Sequence, residues 1–260
     1  MEITFAGVGG AFCGKEQYQS NMVLTASRNR RILFDCGTDA RHSLAELGVT
    51  NYNVGDWLEG VYISHLHADH CGGLEWLGFC TALNGKKVKL FISENLIDPL
   101  WDTLKGGMQF FKYGKQFSSL SDYFDVQSLK DEFWWAGNKF TLVRGDHIND
   151  GSRDMLVHGL FIECLSSSSG EGFNSERKIF ITADGNLNYQ PIYHYADMII
   201  QDTETYDQKS GVHAHYDELI KLPSPVRRKM WLYHYSPDPK QQPEQDGFLG
   251  FAKKGQTIVV

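Results

Sequence analysis

Short apolar runs, each closing on glycine or a polar cluster, recur along the whole chain. "EITFAGVGG" and "RRILFDCG" are of this kind, and the pattern predicts β-strands feeding Gly-rich turns. "LEGVYISH", "KVKLFIS", "KFTLVRG", "LFIECLS", "RKIFITADG", "ADMIIQD" and "KMWLYHYS" repeat it. Between them, "DARHSLAELG" has helical spacing and stops at Gly48, and "YDELIKL" opens a second helix. Strands dominate, helices intersperse, and polar residues with chemical potential sit just after strands. Residues 94–133 depart from this rhythm. They hold Trp101, Phe110, Phe111, Tyr113, Phe117, Tyr123, Phe124 and Phe133, followed by Trp134 and Trp135. Two readings stay open for this aromatic-rich insertion: core packing under a helical cap, or a dimer surface or nucleobase platform, since aromatic faces stack bases.

Composition narrows the class. The 260 residues fit one large domain over 1–260, or two small ones, and can bury a proper core. No run of 18 or more apolar residues is present, so no membrane span is expected. The opening "MEITFAGVGG" has no basic n-region and no long apolar stretch, so no signal peptide is expected. The five cysteines are scattered, odd in number and without a CxxC, which suits a reducing cytoplasm. The formal net charge of −7 favours a small substrate over a long nucleic acid, whose phosphates need a basic face.

The chemistry concentrates at "YISHLHADHCGG". His65, His67, Asp69 and His70 fall within six positions at the end of a predicted strand. His65 and His67, two apart, share one side of an extended backbone, and Asp69 and His70 follow as the chain turns. Imidazole with carboxylate suits Zn²⁺, Mn²⁺ or Fe²⁺. Further candidates follow predicted strands: His147 in "RGDHIND", Asp184 in "FITADGN" and His234 in "WLYHYS".

In this order, with Asp35 in "LFDCG", the set resembles the metallo-β-lactamase superfamily. The resemblance spans nearly the whole chain. It implies an α/β (α+β) fold, a four-layer αββα sandwich with two mixed β-sheets. It implies two divalent ions, Zn²⁺ or else Mn²⁺: one at His65, His67 and His147, the other at Asp69, His70 and His234, with Asp184 bridging and Asp35 bracing the His loop. Two cations about 3.5–4 Å apart lower the pKa of a bridging water and clamp phosphoryl oxygens.

The branch rests on other residues. Dizinc β-lactamases carry cysteine where Asp184 stands, which disfavours lactam hydrolysis, whereas glyoxalase II shares the ligand set. "ITFAGVGGAF", "SNMVL", "ILFDCGTDARHSL" and "ISHLHADHCGGLEWL" resemble the opening of ribonuclease Z and related phosphodiesterases. In "MIIQDTETYDQKSGVHAHYDEL" the resemblance matches His213 to the family's leaving-group acid and Asp202 to its acidic partner, with Glu204 and His215 as competitors. A histidine titrates near neutrality and can serve as that acid. The basic, Gly/Pro-rich arm of ribonuclease Z is not found. The profile is most similar to the phage and bacterial cyclic-nucleotide phosphodiesterases of the anti-Pycsar type. That likeness implies attack of hydroxide on a 3′,5′-cyclic mononucleotide, with Asp69 among the catalytic residues, a homodimer, and no membrane or long nucleic-acid partner. Asn149 and Arg153, after His147, are candidate substrate contacts. The rival activities are tRNA 3′-processing and glyoxalase-type thioester hydrolysis.

Overall fold

The computed structural model describes residues 1–110, 118–149, 151–152, 154–164, 177–187 and 190–260. The chain divides into two compact units, Met1–Lys130 with Lys254–Val259, and Asp131–Lys253 with Val260.

The first unit is built on a seven-stranded sheet. Its strands are β1 (Glu2–Gly7), β2 (Asn21–Ala26), β3 (Arg30–Phe34), β4 (Gly60–Ile63), β5 (Lys89–Ser93), β6 (Asp125–Leu129) and β14 (Thr257–Val259), ordered β14-β1-β2-β3-β4-β5-β6. Pairings from β14 to β3 are antiparallel, and those from β3 to β6 are parallel. In β1 the alternation of sequence becomes alternation of burial: Ile3 and Phe5 are buried and Glu2 is exposed. All four residues of β4 are buried, as a strand covered on both faces requires. The helix Ala40–Glu46 ends where the sequence predicts, with Gly48 at φ 81°, a conformation glycine adopts without Cβ strain.

The second unit repeats the scheme. Its strands are β7 (Glu132–Trp135), β8 (Asn138–Asn149), β9 (Asp154–Cys164), β10 (Arg177–Ile181), β11 (Met198–Asp202), β12 (Met230–Tyr233) and β13 (Gly250–Phe251). They run in the order β13-β12-β11-β10-β9-β8-β7. Pairings from β7 to β10 are antiparallel and those from β10 to β13 parallel. Phe180, Ile199, Met230 and Leu232 form its core with Tyr193, Tyr216, Leu219 and Val226 from the helical segments. Burying each such side chain contributes about 1.5–3 kcal/mol.

Among the described residues the aromatic segment holds both buried and exposed rings. Tyr123, Phe124, Phe133 and Trp135 are buried, while Phe110 and Trp134 are exposed. It also contains β6 and β7, which its polar and aromatic composition did not announce as strands. Phe111, Tyr113 and Phe117 lie outside the described residues. Among the described residues no helix is long and apolar enough to cross a membrane.

One buried histidine of the second unit makes stability depend on pH. His158, on β9, is cross-strand partner to Arg144 on β8. Burial first, and the Arg144 charge second, lower its pKa below the ordinary histidine value. The unfolded chain therefore binds this proton more readily than the folded one. The contribution of neutral His158 is complete above the unfolded value of about 6.5 and is lost as pH falls below it. His158→Gln is expected to lose less Tm than the parent between pH 7 and pH 5. An equal loss in both proteins would remove His158 as the cause.

Candidate active site

Side chains with chemical potential follow the C-terminal ends of parallel strands, where α/β sheets offer backbone groups and loops to ligands. Three of these positions have left-handed backbone on non-glycine residues: Asp35 after β3 (φ 61°), Ala183 after β10 (φ 54°) and His234 after β12 (φ 62°). Such backbone costs of order 1–3 kcal/mol per residue and gathers at functional sites.

In the first unit, β4 delivers Ser64 and His65, and the single turn Ala68–Cys71 carries Asp69 and His70. Asp35 organises the group. Its Oδ1 accepts the Ser64 backbone N–H at 2.8 Å, and its Oδ2 accepts the Ser64 hydroxyl at 2.8 Å. His70 Nδ1 donates to Oδ2 at 2.8 Å. Because the Ser64 hydroxyl donates to Asp35, it accepts from His65 Nδ1 at 3.0 Å. Both rings are thus protonated on Nδ1 and carry a lone pair on Nε2. The Nε2 edges lie against further candidate ligands: His65 Nε2 is 3.1 Å from His67 Nδ1, and His70 Nε2 is 3.3 Å from Asp69 Oδ2. The loop is closed by Cys36 N–H donating to His70 C=O and Gly73 N–H donating to Cys36 C=O. Gly37 is required here, since a Cβ would sit 2.1 Å from the Asp69 carbonyl oxygen.

Burial raises the Asp35 pKa, with His70 opposing. Burial also pushes the Cys71 thiol up to about 12 and the Cys36 thiol higher still, which disfavours the nucleophilic thiolate at both.

In the second unit, Asp184 is the focus of three imidazoles. Its Oδ2 lies 3.4 Å from His234 Nε2, 3.9 Å from His213 Nδ1 and 4.0 Å from His147 Nε2. His147 Nδ1 donates to the Val212 carbonyl at 2.8 Å, which leaves the lone pair on Nε2. His234 Nδ1 lies 3.2 Å from Asp202 Oδ1, which does the same for that ring. His213 Nδ1 lies 3.0 Å from Asp202 Oδ2. Asp184, Asp202, His213 and His234 have donor atoms within 4.8 Å of one another.

Burial lowers the His147 pKa and outweighs Asp184, which keeps the ring in the neutral form a ligand needs. Burial also pulls on His213, but the Asp202 charge reverses it and the pKa stands above the ordinary value. Burial opposes the Asp202 charge, yet His213 holds the carboxyl below the usual range. His213 and Asp202 are therefore an ion pair.

These donors fit divalent cations. Imidazole lone pairs are aimed at carboxylate oxygens and at one another, an arrangement a cation between them stabilises. The outer ring nitrogens of His65, His70, His147 and His234 are held by a hydroxyl, a carboxylate, a carbonyl and a carboxylate, as in metal-bound histidines.

The other sequence candidates are engaged differently. Glu204 accepts from Ser210 N–H with both oxygens, at 3.1 and 2.9 Å. His215 Nε2 donates to Tyr206 C=O at 2.8 Å, and its Nδ1 accepts from Asp217 N–H at 3.2 Å. Asn149 bonds Asp154 and the Gly151 N–H within its own turn. Arg153 lies outside the described residues. Two contributors escape motif reading. Ser64 could have been noticed as the hydroxyl before the first histidine, but the Val212 contribution is a backbone carbonyl that no side-chain pattern reveals.

Comparison with known proteins agrees with this geometry. The chain is 31% identical over 263 residues to the anti-Pycsar protein Apyc1 of Paenibacillus xerothermodurans, covering 99% of this chain and 96% of that protein. It is 30% identical over 268 residues to the anti-Pycsar protein Apyc1 of Bacillus phage 010DV004, covering 100% of this chain and 98% of the phage protein. Among solved structures, the metallo-β-lactamase fold protein YhfI of Bacillus subtilis matches with a TM-score of 0.70 at 16% identity, over 99% of this chain and 98% of that one. That likeness shows the metallo-β-lactamase fold. The family model described as "Anti-Pycsar protein Apyc1" matches residues 1–258, and the chain belongs to that family.

Proposed function

We propose that this chain is a metal-dependent phosphodiesterase that opens 3′,5′-cyclic mononucleotides to linear monophosphates. The observation that carries the reading is the His213–Asp202 ion pair at 3.0 Å, set beside the carboxylate of Asp184. Membership of the Apyc1 family supports the substrate class and a role in blunting cyclic-nucleotide antiphage signalling. In this reading His65, His67 and His147 hold one divalent cation, Asp69, His70 and His234 hold a second, and Asp184 is shared. The assignment follows the superfamily's ligand pattern, and the ring tautomers within each unit support it. Zn²⁺ suits the nitrogen-rich donors, with Mn²⁺ the alternative. Such cations supply charge stabilisation to phosphoryl oxygens and a water acidic enough to serve as nucleophile near neutral pH. A homodimer and a cytoplasmic setting belong to the same proposal, and the exposed Phe110 and Trp134 would suit a contact surface.

The chain's own residues do the proton work. His213 is held by Asp202 with one ring nitrogen occupied, so the other is presented as the donor. Against the pull of burial, the Asp202 charge shifts the His213 pKa upward, which favours the protonated ring. The ribose oxygen leaving phosphorus is a poor leaving group and needs the proton, whereas a p-nitrophenolate does not. His213→Ala is expected to lower kcat for a cyclic mononucleotide by about 10²–10⁴-fold. For a p-nitrophenyl phosphodiester the loss should be under about tenfold. Equal losses on both substrates would assign His213 to the metal centre instead of the leaving group.

A further inference from the structure

The stretch 205–212 joins the two roles assigned above, and its bonding has a shape of its own. Its ends are pinned together: Glu204 and His215 form a parallel bridge, Glu204 N–H donates to Ala214 C=O, and Tyr216 N–H donates to Glu204 C=O, both at 2.9 Å. Between the pins, residues 206–211 are exposed. An exposed run with no core of its own depends for its order on the polar contacts that hold it. Some of these come from buried side chains at its base. The Glu204 carboxylate, 7% exposed, takes the Ser210 N–H with both oxygens. The His215 ring, 4% exposed, takes the Tyr206 carbonyl. Other bonds add to these: Val212 N–H donates to Ser210 Oγ at 3.2 Å, Asn186 Nδ2 donates to Gly211 C=O at 3.3 Å, the exposed Lys209 pairs with Glu218 at 2.9 Å, and Thr205 is tied to Ser236 N–H at 3.0 Å.

What the stretch delivers lies at its far end. The Val212 carbonyl accepts from His147 Nδ1, and the next residue, His213, sits on Asp202. One backbone segment thus sets the tautomer of one histidine and the seat of another.

We infer that residues 205–212 form a clasped strap, and that Glu204 is its positioning residue: by holding Ser210 it fixes the Val212 carbonyl on His147 and the His213 ring on Asp202. Glu204 and His215 are then not proton donors to substrate. Their polar atoms are committed to the backbone of the strap. The inference rests on the proposed reading of His147 as a ligand and His213 as the acid. It asks of Glu204 an acceptor, not a charge, and that distinction is testable. Glutamine keeps an oxygen for the Ser210 N–H, whereas alanine keeps none.

The experiment measures Zn²⁺ affinity by competition with a chromophoric chelator, and kcat and KM on a cyclic mononucleotide, for the parent, Glu204→Ala, Glu204→Gln and Asn186→Ala. Outer partners of metal-bound histidines are worth about 10–100-fold in metal affinity. Glu204→Ala is therefore expected to weaken Zn²⁺ binding by about tenfold or more and to lower kcat with KM unchanged. Glu204→Gln should stay within a few-fold of the parent on both readouts. Asn186→Ala, which removes only the Gly211 bond, should shift affinity in the same direction by less, and it carries the test if Glu204→Ala does not fold. Two results overturn the inference. Glu204→Gln as impaired as Glu204→Ala would make the charge essential and return Glu204 to proton chemistry. Parental Zn²⁺ affinity in Glu204→Ala and Asn186→Ala would detach the strap from His147. A parent that binds Zn²⁺ but cleaves no cyclic nucleotide would sink the proposed activity and leave the affinity comparison intact.

Discussion

Asp184→Asn is expected to lower turnover of a cyclic mononucleotide by at least about 10³-fold, with little change in Tm. The side chain is isosteric and the fold keeps its shape, but the negative charge on which three imidazoles converge is gone. His234 Nε2, His213 Nδ1 and His147 Nε2 all lie within 4.0 Å of the Asp184 Oδ2 position. A neutral amide there places an N–H or a weak carbonyl acceptor where a carboxylate would neutralise cationic partners. His67→Ala should reach a similar floor by removing a donor from the other unit. Steady-state kinetics with thermal denaturation of the same preparations checks both. Wild-type kcat in either variant contradicts the ligand assignment.

Asp35 is expected to separate stability from metal binding. Asp35 is 1% exposed and accepts three donors, from Ser64 N–H, the Ser64 hydroxyl and His70 Nδ1. Asp35→Ala strands all three in a dry interior. The loss is about 3–5 kcal/mol, since each buried donor left without its acceptor costs about 1–3 kcal/mol. For a chain of this size each kcal/mol moves Tm by about 2–4 °C, so a fall of roughly 10 °C is expected. Alanine at a φ of 61° adds backbone strain that aspartate tolerates better. Asp35→Asn should cost far less stability. Its amide can turn the His70 ring to the other tautomer, which puts a proton on Nε2 and spoils it as a ligand. Zn²⁺ affinity is then expected to drop by about 10–100-fold while Tm stays near the parent. Parental affinity in Asp35→Asn would mean that the carboxylate braces the loop without tuning His70.

Much of this was legible before any coordinates. The strands β1, β3, β4, β5, β8, β9, β10, β11 and β12 were readable because their apolar runs are continuous and end in glycine or polar clusters. The histidine cluster was readable because the side-chain period of an extended chain is two. The strand β6 was not, because only its last residue is buried, so no apolar run marks it. His213 and Asp202 were matched through resemblance, and the structure places them 3.0 Å apart. Glu204 and His215 stood in the same interval with the same chemistry, and sequence offers no way to separate a proton donor from a brace. The hydrogen bonds that motivate the proposed bracing role run to backbone atoms, and Ser210 N–H and Tyr206 C=O carry no signature in side-chain identity. The left-handed backbone at Ala183 was hidden for the same reason, since alanine announces nothing about φ.

The central claim is cation-dependent opening of a cyclic phosphodiester. The measurement that tests it most directly is a cleavage panel with the purified, Zn²⁺- or Mn²⁺-loaded protein, each reaction run with and without a chelator. The panel holds 3′,5′-cyclic AMP, GMP, CMP and UMP, a pre-tRNA with a 3′ trailer, and S-lactoylglutathione. The expected result is chelator-sensitive conversion of cyclic mononucleotides to linear monophosphates, with trailer and thioester untouched. Trailer removal or thioester cleavage with every cyclic nucleotide intact would contradict it.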